Sequence, residues 1–363
     1  MALRDTFARI ARVEFAPPTY LSMPTAGIDI STSGLKLALL REKEHGLELY
    51  KYGEERFELG VIRDGQIADN ATVVKGIARL AKEFGVRNVN IALPESRGYL
   101  FEADAEGLDA PTWRTAVEQH VDEYVPLPPA EVAFDVAPLT VVGNKAHLVG
   151  VGCAQKVVDE LLSSFDDAGV AVRAIEGETF ALPRALLRHG DSETVLIIDI
   201  GRTSTKLLVV SGRLPRMATT LDIGGHALTL AVQKHFGVTG EEAKRVKAEK
   251  GLVGGEGNDE YVAAMLSTVS AIREEIGKRL EYWQTRATAV PDHAPVTRAI
   301  LAGGNATVRG LPEYLETALK IPVELGDVFT NLAPRSDWLP PVDYLESLAY
   351  GTAIGLALRQ YVP

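Results

Sequence analysis

At 363 residues, 46% of them hydrophobic and 33 of them glycine, the chain exceeds what one core supports and has an ordinary α/β composition, so two domains or one bilobed unit are expected. Its 38 basic residues against 49 acidic ones, a net charge of −11, argue against a general affinity for nucleic-acid phosphates. The single cysteine, Cys153, excludes an internal disulfide and a thiolate metal cluster, which points to a reducing compartment.

No apolar run approaches the roughly 20 residues needed to span a bilayer. The opening segment, MALRDTFARIARVEFAPPTYLSMPT, lacks the apolar core and cleavage site of a signal peptide. Leu3, Phe7 and Ile10 share one helical face and Arg4, Arg9 and Arg12 lie elsewhere, so a short helix docked on its own domain is expected. A basic amphipathic helix touching a membrane or partner is the alternative.

From Ala26 to Tyr52 the pattern predicts three strands, with turns at Ser31–Gly34 and around His45–Gly46. Residues 70–84 read as a helix and Val86–Leu93 as a strand. In DAPTWRTAVEQHVDEYVPLPP, Trp113, Val117, Val121 and Tyr124 fall near helical spacing, and Pro126, Pro128 and Pro129 end the helix. Strands follow at Glu131–Leu139 and Lys145–Gly152, then a helix from Gln155 to Ala168 stopped by Gly169. Residues 95–168 thus read as a small β/α subdomain inserted into the first lobe. It gathers Tyr124, Pro126, Leu127, Pro128 and Phe134, apolar residues suited to gripping an extended peptide or to forming the subdomain's own core.

The second lobe restarts at Val195 with another strand, turn and strand. TGEEAKRVKAEKGL predicts a helix capped by Thr239, followed by the Gly-rich GLVGGEGND. A long helix then aligns Leu266, Val269, Ile272, Ile276, Leu280 and Trp283. VTRAILAGGNATVRGLPEYLETAL reads as strand, Gly-Gly turn and helix, and YLESLAYGTAIGLALRQYV as a closing helix.

Two stretches carry the chemistry. AGIDISTSGLKLALL and VLIIDIGRTSTKLLVV each spell strand, Asp, a small hydroxyl-rich turn, Lys and strand. Such a turn presents backbone N–H groups and hydroxyls to polyphosphate oxygens. Asp29 and Asp199, each closing a first strand, would repel a bare anion, so a largely hydrated Mg²⁺ between them and the phosphates is expected. Lys36 adds positive charge. Duplicated halves closing on one nucleotide are the simplest reading. In ILAGGNA an apolar strand delivers Gly303, Gly304 and Asn305 to a point where backbone can lie against a ring.

These loops, with DIGGHAL and LAGGNATVRGL, resemble the actin/Hsp70 ATPase superfamily. Within it the chain is similar over nearly its whole length to the PilM family of type IV pilus assembly, through GIDISTSGLKLALL, EYVPLPPAEVAFDV, AIEGETFALPRALL, DIGGHALTLAV, TGEEAKRVK and GTAIGLALR. The resemblance implies an α/β bilobed fold of duplicated ribonuclease H-like lobes. Residues 1–23 would be an extension and 24–94 the first-lobe core, with 169–192 and 345–363 returning to it. Residues 95–168 would be the insertion and 193–344 the second lobe, helical near 230–295.

For the site, the resemblance implies Asp29, Thr32, Ser33, Gly34 and Lys36 in one phosphate loop and Asp199, Gly201, Thr203, Ser204 and Thr205 in the other. Gly224 and Gly225 would line the nucleotide and Gly303, Gly304 and Asn305 the adenosine, with Lys247 near adenine or ribose. Glu178 would face the Mg²⁺ hydration shell and the attacking water, so Glu178 and Asp199 are the catalytic expectation. Ser31 stands where the first loop usually has glycine. Lys244 replaces the acid that commonly takes the ribose hydroxyls, with Glu241 or Glu242 nearby.

The function implied is an ATP- and Mg²⁺-binding scaffold of type IV pilus or related type II secretion assembly, with slow hydrolysis at most. It would sit at the inner face of the cytoplasmic membrane and bind the N-terminal cytoplasmic peptide of a PilN-like inner-membrane protein, and further assembly proteins in turn. An FtsA-like division protein is an alternative, disfavoured because the chain closes on a fold helix at Pro363. A sugar or acetate kinase is another, disfavoured because no Asp-centred acceptor site is visible. A P-loop is absent, GLVGGEGND follows a charged helix rather than a strand, and nothing activates Cys153. His226 reads as a loop histidine facing solvent.

Overall fold

The computed structural model describes residues 24–107, 109–289 and 293–361, so the expected helix at Leu3–Ile10 lies outside the described residues. The chain opens with three strands, β1 (Thr25–Ser31), β2 (Gly34–Lys43) and β3 (Gly46–Arg56), a ribbon of β4 (Ile62–Arg63) and β5 (Gln66–Ile67), helix α1 (Asn70–Phe84) and strand β6 (Asn88–Leu93). An insertion follows, made of β7 (Gly98–Glu106), α2 (Ala110–Glu118), α3 (Val121–Tyr124), β8 (Val132–Val142) and β9 (Lys145–Ala154). Helix α4 (Gln155–Asp167), strand β10 (Ala171–Gly177) and helix α5 (Glu178–Leu186) rejoin the first lobe. Next come β11 (Thr194–Ile200), β12 (Thr205–Ser211), β13 (Leu214–Leu221), α6 (Gly225–Phe236), α7 (Gly240–Lys250) and α8 (Asp259–Ala289). The chain finishes with β14 (Arg298–Ala302), α9 (Leu311–Leu319), β15 (Val323–Leu325), α10 (Tyr344–Ser347) and α11 (Gly351–Leu358).

The two main sheets repeat one plan. The first runs β10-β6-β1-β2-β3 and the second β15-β14-β11-β12-β13, each an antiparallel meander extended by two parallel strands. Local signals explain the elements. Asp69 caps α1 by accepting the Thr72 N–H at 3.1 Å, Val73, Ile77, Leu80 and Ala81 bury one face, and Gly85 ends the helix with φ +65°. Thr239 caps α7 through the Glu242 N–H at 3.2 Å.

Strand β1 is covered on both faces. Ala26, Ile28 and Ile30 join the core under α1 and α4, while Gly27 and Asp29 turn to the opposite face, where α11 packs. A Cβ on Gly27 would lie 1.9 Å from the Ala353 carbonyl oxygen, and one on Gly355 would lie 1.8 Å from that of Ala181 in α5. Helices α5 and α11 therefore form a backbone-to-backbone seam. One apolar core runs through it, from Ala38, Leu40 and Leu49 of the first lobe to Leu196, Ile198 and Val209 of the second.

Several details differ from the sequence-based expectation. Helix α4 was expected within the insertion, but Val157, Leu161 and Phe165 bury against the first-lobe core, and Ser164 donates to Asn70 Oδ1 at 2.7 Å. The insertion's own core is Phe101, Trp113, Val117, Val121, Val125 and Leu148. On α8, Met265 is fully buried where Leu266 was expected, and Leu266 is exposed; one residue is about 100° of helix, so the stripe enters one position earlier. The closing helix is broken at Leu348–Tyr350, because the Leu348 carbonyl accepts the Gly303 N–H at 3.2 Å instead of serving the helix.

The seam makes a stability prediction with opposite signs at two helical glycines. Gly355→Ala forces backbone apart and is expected to destabilise by about 1–3 kcal/mol. Gly277→Ala in α8, where a Cβ meets nothing within 4 Å, is expected to stabilise by about 0.5–1 kcal/mol. Denaturant midpoints of the two variants against wild type measure both.

Candidate nucleotide site

The two hydroxyl-rich hairpins face each other across the cleft between the lobes. In β1 and β2 the register pairs Asp29 with Lys36 and Ser31 with Gly34; in β11 and β12 it pairs Asp199 with Lys206. Gly34 takes φ +136° at the first turn, and a Cβ there would meet the Glu55 carbonyl oxygen at 1.9 Å. The turns touch directly, with Thr32 Oγ1 and Thr203 Oγ1 sharing a hydrogen bond at 3.0 Å. Arg202 reinforces the contact by donating to the Phe57 carbonyl at 3.0 Å.

The cleft has a volume of about 1110 Å³. Of the residues expected there, Asp29, Thr32, Ser33, Lys36, Glu178, Asp199, Gly201, Thr203, Ser204, Gly225, Lys247, Gly303, Gly304 and Asn305 line it. Gly34, Thr205 and Gly224 do not; they shape its walls. Thr205 is fully buried and donates to the Ile223 carbonyl at 2.7 Å, fastening the second hairpin to the turn before α6. Gly224 lies under that hairpin, where a Cβ would sit 2.6 Å from the Ser204 nitrogen.

The far wall is stitched by side chains expected to touch adenosine. Asn305 donates through Nδ2 to the Gly201 carbonyl at 2.9 Å and accepts from Lys247 Nζ through Oδ1 at 2.8 Å. Lys247 also donates to the Gly225 carbonyl at 3.1 Å, so it ties α7 to the start of α6 and to the Asn305 turn. Burial, with Lys244 nearby, pulls the Lys247 ammonium down to about 8. Gly303, at φ +86°, packs so close that a Cβ would lie 2.3 Å from Asp199 Oδ1. Lys244 donates to Glu241 Oε1 at 2.6 Å, and both line the cleft, as does His226. Burial first, then Arg202, Lys247 and Lys244, depress the His226 imidazolium below its ordinary range.

At the cleft floor, Asp29, Asp199 and Glu178 converge. Desolvation pushes Asp29 up to about 6 despite Lys36 and Lys206, and raises Asp199 as well. Glu178, the first residue of α5, is held at both oxygens: Oε1 accepts the Glu95 N–H at 2.5 Å and Oε2 accepts from Lys206 Nζ at 2.5 Å. Lys206 also lies 3.8 Å from Asp199 Oδ2. Burial works against its charge, but Glu178, Asp199 and Asp29 more than offset it and hold the ammonium above its ordinary range.

Sequence reasoning saw Lys206 in the repeat but gave it no role, although it follows Asp199 at the spacing at which Lys36 follows Asp29. Its position bears on the expected metal. The hydroxyls, N–H groups and glycines of the cleft fit a nucleotide, but Asp29 and Asp199 do not fit a bridging Mg²⁺ as the side chains stand, because the Lys206 ammonium already stands against Asp199, 3.8 Å from its Oδ2, and its charge reaches Asp29.

A second cavity, of about 510 Å³, lies where insertion, first lobe and second lobe meet. Leu93, Pro94 and Gly177 give one wall, Tyr99, Phe101 and Tyr124 another, Met217 and Trp283 the third. Tyr124 stacks on Phe101, with ring centroids 5.0 Å apart. Leu127 and Phe134 instead pack on the insertion's own core, and Pro126 and Pro128 are exposed. Glu102 of β7 ties the insertion to the second lobe: Oε1 accepts from Arg216 at 2.6 Å, and His293 Nε2 lies 3.6 Å from Oε2.

Comparison with known proteins follows the same lines. A family model described as type IV pilus assembly protein PilM matches residues 27–361. Among solved structures the chain is similar to one described as a PilM-PilN type IV pilus biogenesis complex, at 22% identity over 94% of this chain and 99% of that one, with a TM-score of 0.76. It is similar to MreB5 of Spiroplasma citri bound to ADP, at 14% identity over 94% and 97%, TM-score 0.56. It is similar too to the ethanolamine utilization protein EutJ from Carboxydothermus hydrogenoformans, at 15% identity over 92% and 89%, TM-score 0.52. The fold is the bilobed actin-like one.

The buried Asp29 gives a pH signature. Its carboxyl titrates at about 6 when folded against 3.8 ordinarily, so the native state holds the extra proton between these values. Stability from this group is therefore present at low pH and lost as pH rises through that window. Asp29→Asn is expected to raise stability at pH 7 by up to about 3 kcal/mol and to flatten the stability profile between those values, measured by denaturation across pH.

Proposed function

The chain belongs to the PilM family of type IV pilus assembly proteins, and on that footing we propose that it is a nucleotide-gated scaffold that grips a peptide of an inner-membrane partner. The observation that carries this reading is the direct contact of two matched hydroxyl turns, one from each lobe, across a single cleft. A triphosphate entering there would exchange the Thr32–Thr203 contact for its own oxygens and so set the angle between the lobes. Lys36, already donating to Ser33 Oγ at 3.1 Å, would supply positive charge, and Gly303 and Gly304 a flat wall for the base. The MreB5 relative, solved with ADP, supports nucleotide in this fold.

Occupancy rather than turnover is the expected use of the nucleotide. Glu178, the residue expected to orient a water, already accepts a hydrogen bond at each oxygen, which leaves fewer acceptor sites for that water. The scaffold works by favouring one lobe angle, which needs a ligand that binds the two states unequally and nothing more.

The partner proposed is the N-terminal cytoplasmic peptide of a PilN-like inner-membrane protein, seated in the second cavity. The similar PilM-PilN complex supports the class of partner. Aromatic walls at Tyr99, Phe101 and Tyr124 offer apolar area at small entropy cost. No helix among the described residues is long and apolar enough to cross a membrane, so attachment at the inner face of the cytoplasmic membrane would come through this partner.

Fluorescence polarisation with the labelled N-terminal peptide of the cognate PilN-like protein tests the assignment. Tyr124→Ala is expected to weaken binding about tenfold or more, a loss of about 1.4 kcal/mol, and a non-hydrolysable ATP analogue to strengthen it several-fold. Affinity indifferent to both would remove the cavity from the mechanism.

A further inference from the structure

Lys206 stands on β12, the middle strand of the second lobe's meander, directly opposite Asp199. Both neighbouring strands fix its Cα, and its Nζ ends 2.5 Å from Glu178 Oε2 and 3.8 Å from Asp199 Oδ2. The lysine side chain is 22% exposed and that of Glu178 only 5%, so the pair sits largely out of water and is weakly screened. Glu178 cannot swing away freely, because the Glu95 N–H holds its other oxygen. Glu95 is itself anchored by Thr220, on the strand beside β12.

Taking nucleotide binding in the cleft as the premise, we propose that Lys206 is a built-in counter-cation, whose ammonium takes the place of a divalent ion between the carboxylates and the nucleotide's phosphates. A divalent ion entering among Asp199 and Glu178 would face a fixed positive charge and would have to break a short ion pair. The ammonium supplies one of the two positive charges that such an ion would bring. It carries three N–H donors, of which Glu178 takes one in a hydrogen bond, and it lines the cleft with Lys36 on the opposite hairpin. Two lysines, one per lobe, then meet the phosphate charge. Nucleotide binding is accordingly metal-independent.

Titration with the fluorescent analogue N-methylanthraniloyl-ATP, in excess Mg²⁺ and again in EDTA, decides the matter. For the wild type, affinities within about threefold of each other are expected. Lys206→Met keeps length and removes charge, so its binding becomes Mg²⁺-dependent by about tenfold or more, while Lys206→Arg stays indifferent to chelation. A wild type that loses about tenfold or more in EDTA overturns the proposal while leaving nucleotide binding in place. So does a folded Lys206→Met that remains indifferent. The wild-type comparison stands alone if the variants fail to fold. No binding by the wild type in either buffer would instead bring down the nucleotide premise and the counter-cation with it.

Discussion

Everything in the molecule is arranged around the crossing of α5 and α11. The two helices meet at backbone distance because Gly355 contributes no side chain, and α11 meets β1 as closely because Gly27 contributes none. Close approach of this kind excludes water and leaves no slack for neighbouring elements. Asp29 lies two positions beyond Gly27 on the same face of β1, and Glu178 begins α5. Two of the three floor carboxylates are therefore positioned by the seam, and Asp199 alone by the second lobe's sheet.

The duplication sets the chemistry. Each sheet brings an Asp and a Lys into register at the mouth of its first hairpin. Carboxylates held in a desolvated cleft cost stability unless they are paired, and pairing them with internal lysines offsets only part of that cost. Asp29 remains raised despite two lysines, so its charged form costs the folded state stability.

Much of this was legible in the chain. Paired strands flanking a small polar turn announce themselves by period and composition, and the repeat of the pattern announced two lobes facing one ligand. The lysine of the second copy was passed over because its meaning depends on Glu178, which arrives from a helix start well before it in sequence. Spacing alone cannot supply such a meeting. The insertion's limit was misplaced at α4 for a related reason: an amphipathic helix shows that it has a buried face, not which sheet will cover it. Leu266 and Met265 are adjacent and both apolar, so only packing sets the phase of α8. Asn305 and Thr205 were read as ligand contacts and are hydrogen-bonded to the protein itself, a role that loop composition does not distinguish.

The third wall of the second cavity belongs to the second lobe. Met217 and Trp283 face Tyr99 and Tyr124 of the insertion, and Glu102 reaches across to Arg216. A cavity built from both lobes has a thermodynamic consequence that a pocket within one lobe lacks. Occupants bound as proposed in the two sites would act on the same lobe angle, so each would alter the other's affinity by an identical factor. A tenfold effect in one direction is a tenfold effect in the other, about 1.4 kcal/mol of coupling shared between two sites. A membrane-borne peptide would then do more than be held: by arriving, it would keep nucleotide in the cleft, and the cytoplasmic face of the assembly would record that its partner is in place.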